Sequence, residues 1–475
     1  MTASPPHSFL ADFPELPERL RQIGCTDLTR AMKNLEALSE RPLHREAFVG
    51  LVPGLLETVA NIPDPDMALN NLERFAGVVI DRGFLFALLR DHRKSLDLLL
   101  TIFGSSQYLS DVLIRYPQLF EWLLEPGVLR WPMRKVDLAR ELATTTDRPS
   151  SVERKWEALR RFKMREILRI GLQDLLGNQD LPGITQELSQ LADVTLQKAY
   201  EISHAELTQR FGTPQVVGAT GEARECHFCV IGMGKLGGEE LNYSSDIDIL
   251  FVYEAEGETM GVPGPGRIRD ARISNHQYFA KLAETIVKAI GTVTSDGSVF
   301  RVDTRLRPGG SQGDLCLSLR SYEIYYESWG QTWERQALIK ARPVAGDEAL
   351  GRKFLEMVTP FVYRKYMDQT AIQEVRAMKE RIEQSLRHDR KLHRDVKRGY
   401  GGIREIEFTV QAFQLLHGGR DPWIRGANTL RTLHRLAARR YLSDEECEAL
   451  VRAYVFLRTV EHRLQILHNL QTHTL

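Results

Sequence analysis

Two aspartates, Asp246 and Asp248, open an apolar run in SSDIDILFVYE, and a glycine-rich stretch, VIGMGKLGGEELNY, leads into them. In a strand, residues two apart share a face, so both carboxylates point one way while Ile247, Ile249, Phe251 and Tyr253 take the other. Two ionised carboxylates side by side repel unless a cation sits between them. Mg²⁺ suits an all-oxygen ligand set completed by phosphate. A second stretch, VFRVDTRLRPGG, puts Arg301, Asp303, Arg305 and Arg307 on one face of a predicted strand. Alone, that pattern reads as an ion-pair ladder on a solvated strand. Beside the first strand it adds a third carboxylate and cations suited to phosphate, and the implied chemistry is in-line displacement at phosphorus.

The glycines allow another reading. Gly232, Gly234 and Gly237 have the spacing of a dinucleotide-binding turn, with Glu254 where such a fold keeps its ribose-binding acid. That turn needs a full helix before the next strand, and only GEELNYSS separates Gly237 from Asp246. The first two glycines therefore read as coincidental spacing and Glu254 as an ordinary strand-end acid. The turn at Gly237-Gly238 reads as the one that serves the carboxylates. A control lies in NIPDPDMAL, where Asp64 and Asp66 have the same spacing but flanking prolines make them turn or capping residues.

The elements that must position these groups are legible in outline. CHFCVIG, DIDILFVYE and SVFRVDTRLR read as strands, with a Gly/Pro-rich loop, EAEGETMGVPGPGRIRD, and a helix, ISNHQYFAKLAETIVKAIGTV, between the last two. Residues 1 to about 140 read as helices, ATTTDRPSS as a linker, and 152–210 as a long helical stretch broken near GNQDLPG. Helical patterns resume after Pro308, through YEIYYESWGQTWERQALIKA and AIQEVRAMKERIEQSLR to RAYVFLRTVEHRLQILHNL. The chain divides on this reading into an N-terminal helical region (1–150), a central α/β domain with lead-in helices (151–345) and a C-terminal helical bundle (346–475).

Bulk composition narrows the setting. The 475 residues carry 63 Lys plus Arg against 63 Asp plus Glu, which argues against a dedicated nucleic-acid binder. No secretory signal or membrane-length apolar run is visible. The five cysteines have no disulfide or zinc spacing; Cys226 and Cys229 lie on a predicted strand and read as buried thiols. A cytoplasmic protein is expected.

The glycine turn, the SDxD opening a strand and the later lone aspartate resemble the nucleotidyltransferase fold of the DNA polymerase β type. GMGKLGGEELNYSSDIDILFVY, FRVDTRLRPGGSQGDL, YYESWGQTWERQALIKARPVAGD, GGIREIEFTVQAFQLLHGG and FLRTVEHRLQILHNLQTHTL lie in that order and resemble the glutamine synthetase adenylyltransferase/adenylyl-removing enzyme family. The resemblance implies a mainly α chain with an α/β nucleotidyltransferase core, a mixed sheet flanked by helical domains. Members of that family carry two homologous halves, and only one motif set is present here; ELNYSSDIDIL is more similar to the N-terminal half. That half removes AMP from the modified tyrosine of glutamine synthetase by phosphorolysis, giving ADP; the other half adds AMP from ATP. The implied roles are Mg²⁺ ligation by Asp246, Asp248 and Asp303, phosphate binding at Gly237, Gly238 and Ser245, and phosphate or nucleotide orientation by Arg305 and Arg307. Implied partners are adenylylated glutamine synthetase, the PII signal protein, inorganic phosphate and ADP, with neither nucleic acid nor membrane. Two alternatives stay open: an ATP-dependent adenylyltransferase at the same site, and a docking module for glutamine synthetase and PII. Trp333, Glu334 and Arg335 read equally as packing residues, and Lys397 and Arg398 equally as an anion site or a solvated basic turn.

Overall fold

In the computed structural model the described residues are 12–40, 42–130, 132–218, 221–262, 272–365, 373 and 395–468. Cα packing separates the chain into two compact units. One comprises Met1–Pro132, Arg165–Asp180 and Arg463–Leu470; the other comprises Met133–Met164, Leu181–His462 and Gln471–Leu475.

The first unit is helical. It is built from α1 (Leu16–Ile23), α2 (Leu28–Ser39), α3 (Pro42–Val59), α4 (Pro65–Val78), α5 (Arg82–Asp91), α6 (Arg93–Ser105), α7 (Gln107–Arg115) and α8 (Gln118–Leu124). Its core is aliphatic with an aromatic seam, in which Phe75 meets Phe103 and Phe120 edge-on. The control pair behaves as capping residues should. Asp64 accepts from the Met67 amide at 2.8 Å to start α4, and Asp66 accepts from the Thr26 amide and hydroxyl, both at 2.7 Å.

The second unit holds the sheet. Its helical frame is α9 (Lys135–Asp147), the first half of α10 (Val152–Leu175) and α11 (Leu181–Phe211). The stretch expected as a linker is helical as far as Asp147, because Thr144, Thr145 and Thr146 each return a hydroxyl bond to the carbonyl four residues back. A three-stranded antiparallel sheet follows the order β2 (Ala223–Glu225), β1 (Pro214–Val217), β5 (Glu258–Thr259). The expected Gly/Pro-rich loop thus contains a strand; its residues 263–270 lie outside the described residues.

The principal sheet has the order β6 (Val302–Asp303), β4 (Ile247–Tyr253), β3 (Phe228–Gly232), β8 (Arg342–Gly346), and β7 (Cys316–Ser318) also pairs with β4. β4 runs antiparallel to β3 but parallel to β6 and β7, so the sheet is mixed. Both faces are covered. On one, Phe228, Phe251, Tyr253 and Phe279 stack against α13 (Asn275–Gly291). On the other, Ile231, Leu250 and Val252 pack with Tyr322, Tyr326 and Phe354 from α14 (Leu319–Ser328) and α16 (Glu348–Val362). Between these two helices lies α15 (Thr332–Leu338).

The antiparallel pairing of β3 with β4, Gly232 opposite Ile249, excludes a crossover helix between them. Only α12 (Gly234–Gly237), a single turn, fills that connection. Glu254 is a strand-end acid, held by the Arg224 guanidinium at 2.5 and 2.7 Å. The third predicted strand is shortened to Val302–Asp303, since Arg305 onward enters a turn. The described C-terminal helices are α17 (Ile403–His417), α18 (Thr429–Ala438) and α19 (Asp444–His468); AIQEVRAMKERIEQSLR lies outside the described residues apart from Gln373.

Candidate active site

β4 enters the sheet at Ile247, which leaves Asp246 just before its first paired residue and Asp248 on its exposed end. Parallel pairing with β6 then sets Asp303 directly opposite Asp248. Three carboxylates predicted from two separated stretches therefore meet at one strand end. Burial first, then the neighbouring Asp303 and Asp246, push the Asp248 carboxyl up to about 7. Lys397 and Arg305 act in the opposite sense on the same group.

The outer two carboxylates are held by arginines. Arg301 Nε donates to Asp246 Oδ1 at 2.5 Å, and its guanidinium also reaches the Ser244 carbonyl. Arg305 grips Asp303 with Nε at 3.0 Å from both oxygens and one terminal nitrogen at 2.5 Å, while its amide adds a bond at 2.8 Å. These bonds hold the Asp303 carboxyl below the usual range. Arg305 is well exposed, so it can exchange this carboxylate for a ligand at little cost.

Arg307 does something else. It is buried, with its guanidinium on the carbonyls of Thr304, Ser311 and Gly313, and so closes the turn after β6 rather than facing the carboxylates. The expected phosphate amides are likewise engaged. Gly237 and Gly238 N–H donate to the Met233 and Gly234 carbonyls at 3.0 Å each within the α12 turn, and Ser245 N–H donates to Asn242 at 3.4 Å. Gly237 is a packing glycine: a Cβ there would fall 1.6 Å from the Lys340 carbonyl oxygen. Gly234, read from sequence as coincidental, is the glycine closest to the chemistry. It takes a left-handed φ of 53°, and a Cβ on it would stand 2.6 Å from Asp248 Oδ2.

The segment between the glycines and the aspartates is anchored by buried polar groups. Glu240 accepts from Lys340 Nζ at 2.5 Å and from the Thr429 amide at the start of α18. Asn242 Oδ1 receives the Arg458 guanidinium and contacts His462 Nε2 at 2.7 Å, both from α19. Lys235 Nζ lies 2.9 Å from Glu461, and burial, then Arg458, draw its ammonium down to about 8. None of these partners was predictable from spacing, since they lie a hundred residues or more apart. Glu334 is a capping residue that accepts from Gln331 N–H and Tyr325 O–H. Glu405 accepts from Gly401 N–H at 2.9 Å and serves the turn there.

As it stands the site offers only oxygen donors, the chemistry of a hard divalent cation. Among the described residues no three of His, Cys, Asp or Glu already converge as a ligand set, because Asp246 and Asp303 are turned onto arginines. The raised Asp248 carboxyl reflects burial first and its two acidic neighbours second. The donor set fits such an ion if the arginines release it.

A small mixed sheet in a mostly helical chain is consistent with a nucleotidyltransferase-type domain. Comparison with known proteins shows the family. Residues 96–357, more than half the chain, match the family model described as glutamate-ammonia ligase adenylyltransferase, and residues 373–475 match one described as GlnD PII-uridylyltransferase. Proteins described as bifunctional glutamine synthetase adenylyltransferase/adenylyl-removing enzyme are similar over most of the chain. That of Pseudomonas putida is 40% identical over 384 residues, covering 81% of this chain and 38% of the relative. That of Nitrosococcus oceani is 41% identical over 382 residues, 80% and 38%. That of Pseudomonas aeruginosa is 40% identical over 372 residues, 78% and 37%. The chain belongs to the glutamate-ammonia ligase adenylyltransferase family. It spans well under half the length of these curated relatives.

Proposed function

We propose that the chain removes AMP from the adenylylated tyrosine of glutamine synthetase by phosphorolysis, with a core of the DNA polymerase β type. The observation that carries the site is the direct pairing of Asp248 with Asp303 on adjacent parallel strands, with Asp246 two residues away. Asp246, Asp248 and Asp303 would hold Mg²⁺, which when bound offsets charge on the phosphorus being transferred. The phosphate oxygen forms a bond to the AMP phosphorus as the bond to the tyrosine oxygen breaks; ADP leaves and the tyrosine regains its proton. Phosphate is already anionic at neutral pH, so no strong base is required, and the protein's task is positioning and charge neutralisation. Arg305, exposed and paired with Asp303 among the described residues, would orient the attacking phosphate or the nucleotide. The direction of transfer rests on the likeness of ELNYSSDIDIL to the N-terminal half of the family.

The match of residues 373–475 to a PII-uridylyltransferase model supports the PII protein as a regulatory partner. The setting proposed is cytoplasmic: all five cysteines are free thiols, and among the described residues no helix is long and apolar enough to cross a membrane.

Adenylylated glutamine synthetase incubated with the chain, Mg²⁺ and phosphate should release ADP, and the Asp246→Ala variant should not. ADP formed equally by the variant would remove Asp246 from the site. AMP-tyrosine formed from ATP and unmodified synthetase, with no ADP from the reverse assay, would reverse the direction.

A further inference from the structure

The first, helical unit carries an apolar groove that has no part in the chemistry proposed above. Residues 79–81 link α4 to α5. Val79 is extended there (φ −72°, ψ 135°), with its amide on the Phe75 carbonyl, so the chain leaves α4 across the surface. Ile80, next in the link, is fully exposed, and its sequence neighbours Phe84 and Val78 are 60% and 48% exposed. With α8 these three border a cavity of about 360 Å³ whose buried lining includes Phe75, Leu85 and Phe120. Every lining residue belongs to this one unit. Single exposed apolar side chains are ordinary, but three gathered around one cavity mark a surface that something covers.

Charge on the rim indicates what covers it. The charged lining residues are Asp81 and Glu121, both exposed. Asp81 accepts the Phe84 amide at 2.9 Å, and neither carboxylate meets a cation among the described residues. Arg82 is turned toward Gly77 on α4, 3.9 Å from where a Cβ there would stand, and does not line the groove. A second copy of this chain docking through the same face would bring two acidic rims together. An anionic lipid surface would be repelled for the same reason. A helix with bulky apolar side chains on one face and Lys or Arg beside them satisfies both the lining and the rim.

We infer that the groove between α4, α5 and α8 docks an amphipathic helix of a partner protein, apolar along one face and basic at its flanks. Ile80 and Phe84 supply the apolar contact, and Asp81 and Glu121 select the basic residues. The assignment is independent of the direction in which the carboxylate site transfers AMP.

The test is a selection from a random peptide library displayed on phage, with the full chain as bait and its Phe84→Ser variant as counter-bait. Peptides retained by the wild type alone should carry Leu, Phe or Trp at helical spacing with Lys or Arg beside them. A synthetic copy of a retained peptide, titrated by fluorescence anisotropy, should bind the Ile80→Ser and Phe84→Ser chains about thirtyfold more weakly, the loss of a central apolar contact. Glu121→Gln should weaken it about threefold, the scale of an exposed charge pair, and wild-type affinity should fall as salt rises. Both Ser variants should remain folded by circular dichroism, since the side chains removed are exposed. Equal affinity for the folded Phe84→Ser chain, acidic rather than basic flanks in the retained peptides, or no peptide that depends on Phe84 would each overturn the assignment. So would self-association of the wild-type chain that Phe84→Ser abolishes in sedimentation, which would make a second copy the occupant. Binding to phosphatidylserine vesicles that the same variant abolishes would assign the groove to a lipid surface instead.

Discussion

Asp248 concentrates the electrostatics of the site. Its carboxyl, pushed up to about 7 by burial and by Asp303 and Asp246, is protonated in the folded chain at pH values where an unfolded aspartate is ionised. A raised folded-state pKa contributes stability that is complete below the unfolded value of about 4 and is lost as pH rises through about 7. Without divalent ions the protein should therefore melt at lower temperature at pH 8 than at pH 6, and Asp248→Asn should remove much of that loss. Mg²⁺ competes with the proton, so it should raise the melting temperature more at pH 8 than at pH 6, by a few degrees, and not at all in the Asn variant. Equal Mg²⁺ shifts in both proteins would show that Asp248 is not a ligand. At this scale the aspartates were legible because strand alternation fixes which side chains share a face. Arg307 was misread for a related reason: alternation was extended past Asp303, where the chain has already left the strand.

At the scale of elements, Gly234 and Gly237, two of the four glycines of GMGKLGG, have separable tasks. Gly234→Ala places a Cβ 2.6 Å from Asp248 Oδ2 in a left-handed backbone, a strain of about 1–2 kcal/mol. It should abolish activity while leaving a folded protein, as circular dichroism and a melt would show. Gly237→Ala drives a Cβ against the Lys340 carbonyl, a backbone atom that cannot rotate away, and should cost stability first, about 1–3 kcal/mol or more. A Gly234→Ala enzyme of normal activity would detach that turn from the site. β3 and β4 were legible as apolar runs because both their faces are covered. β5, β6 and β7 are only two or three residues long, and exist because a neighbouring strand offers them partners.

Across the sheet-bearing unit, ion pairs hold the loop between β3 and β4 to the C-terminal helices. Lys340 bridges Glu240 at 2.5 Å and Glu407 at 3.3 Å, and is 6% exposed. Lys340→Met should destabilise by about 3–5 kcal/mol, because it strands the buried Glu240 carboxylate and the half-buried Glu407 rather than because the pair itself is strong. Removing the exposed Arg352–Glu348 pair should cost under about 0.5 kcal/mol. Chemical denaturation of both variants checks the contrast, and a mild Lys340→Met effect would mean that the two glutamates find other partners or protonate.

Sequence alone determined the helical character of most of the chain, the two central strands and the identity of the acidic residues, because each depends on local periodicity. Family membership was legible for the same reason, in contiguous motifs. Tertiary structure decided that Asp303 faces Asp248, that Gly234 rather than Gly238 lies against the carboxylates, and that Arg160 and Lys163 are buried. Register between β4 and β6, and burial of α10, follow from packing between segments far apart in the chain, and no local pattern encodes either.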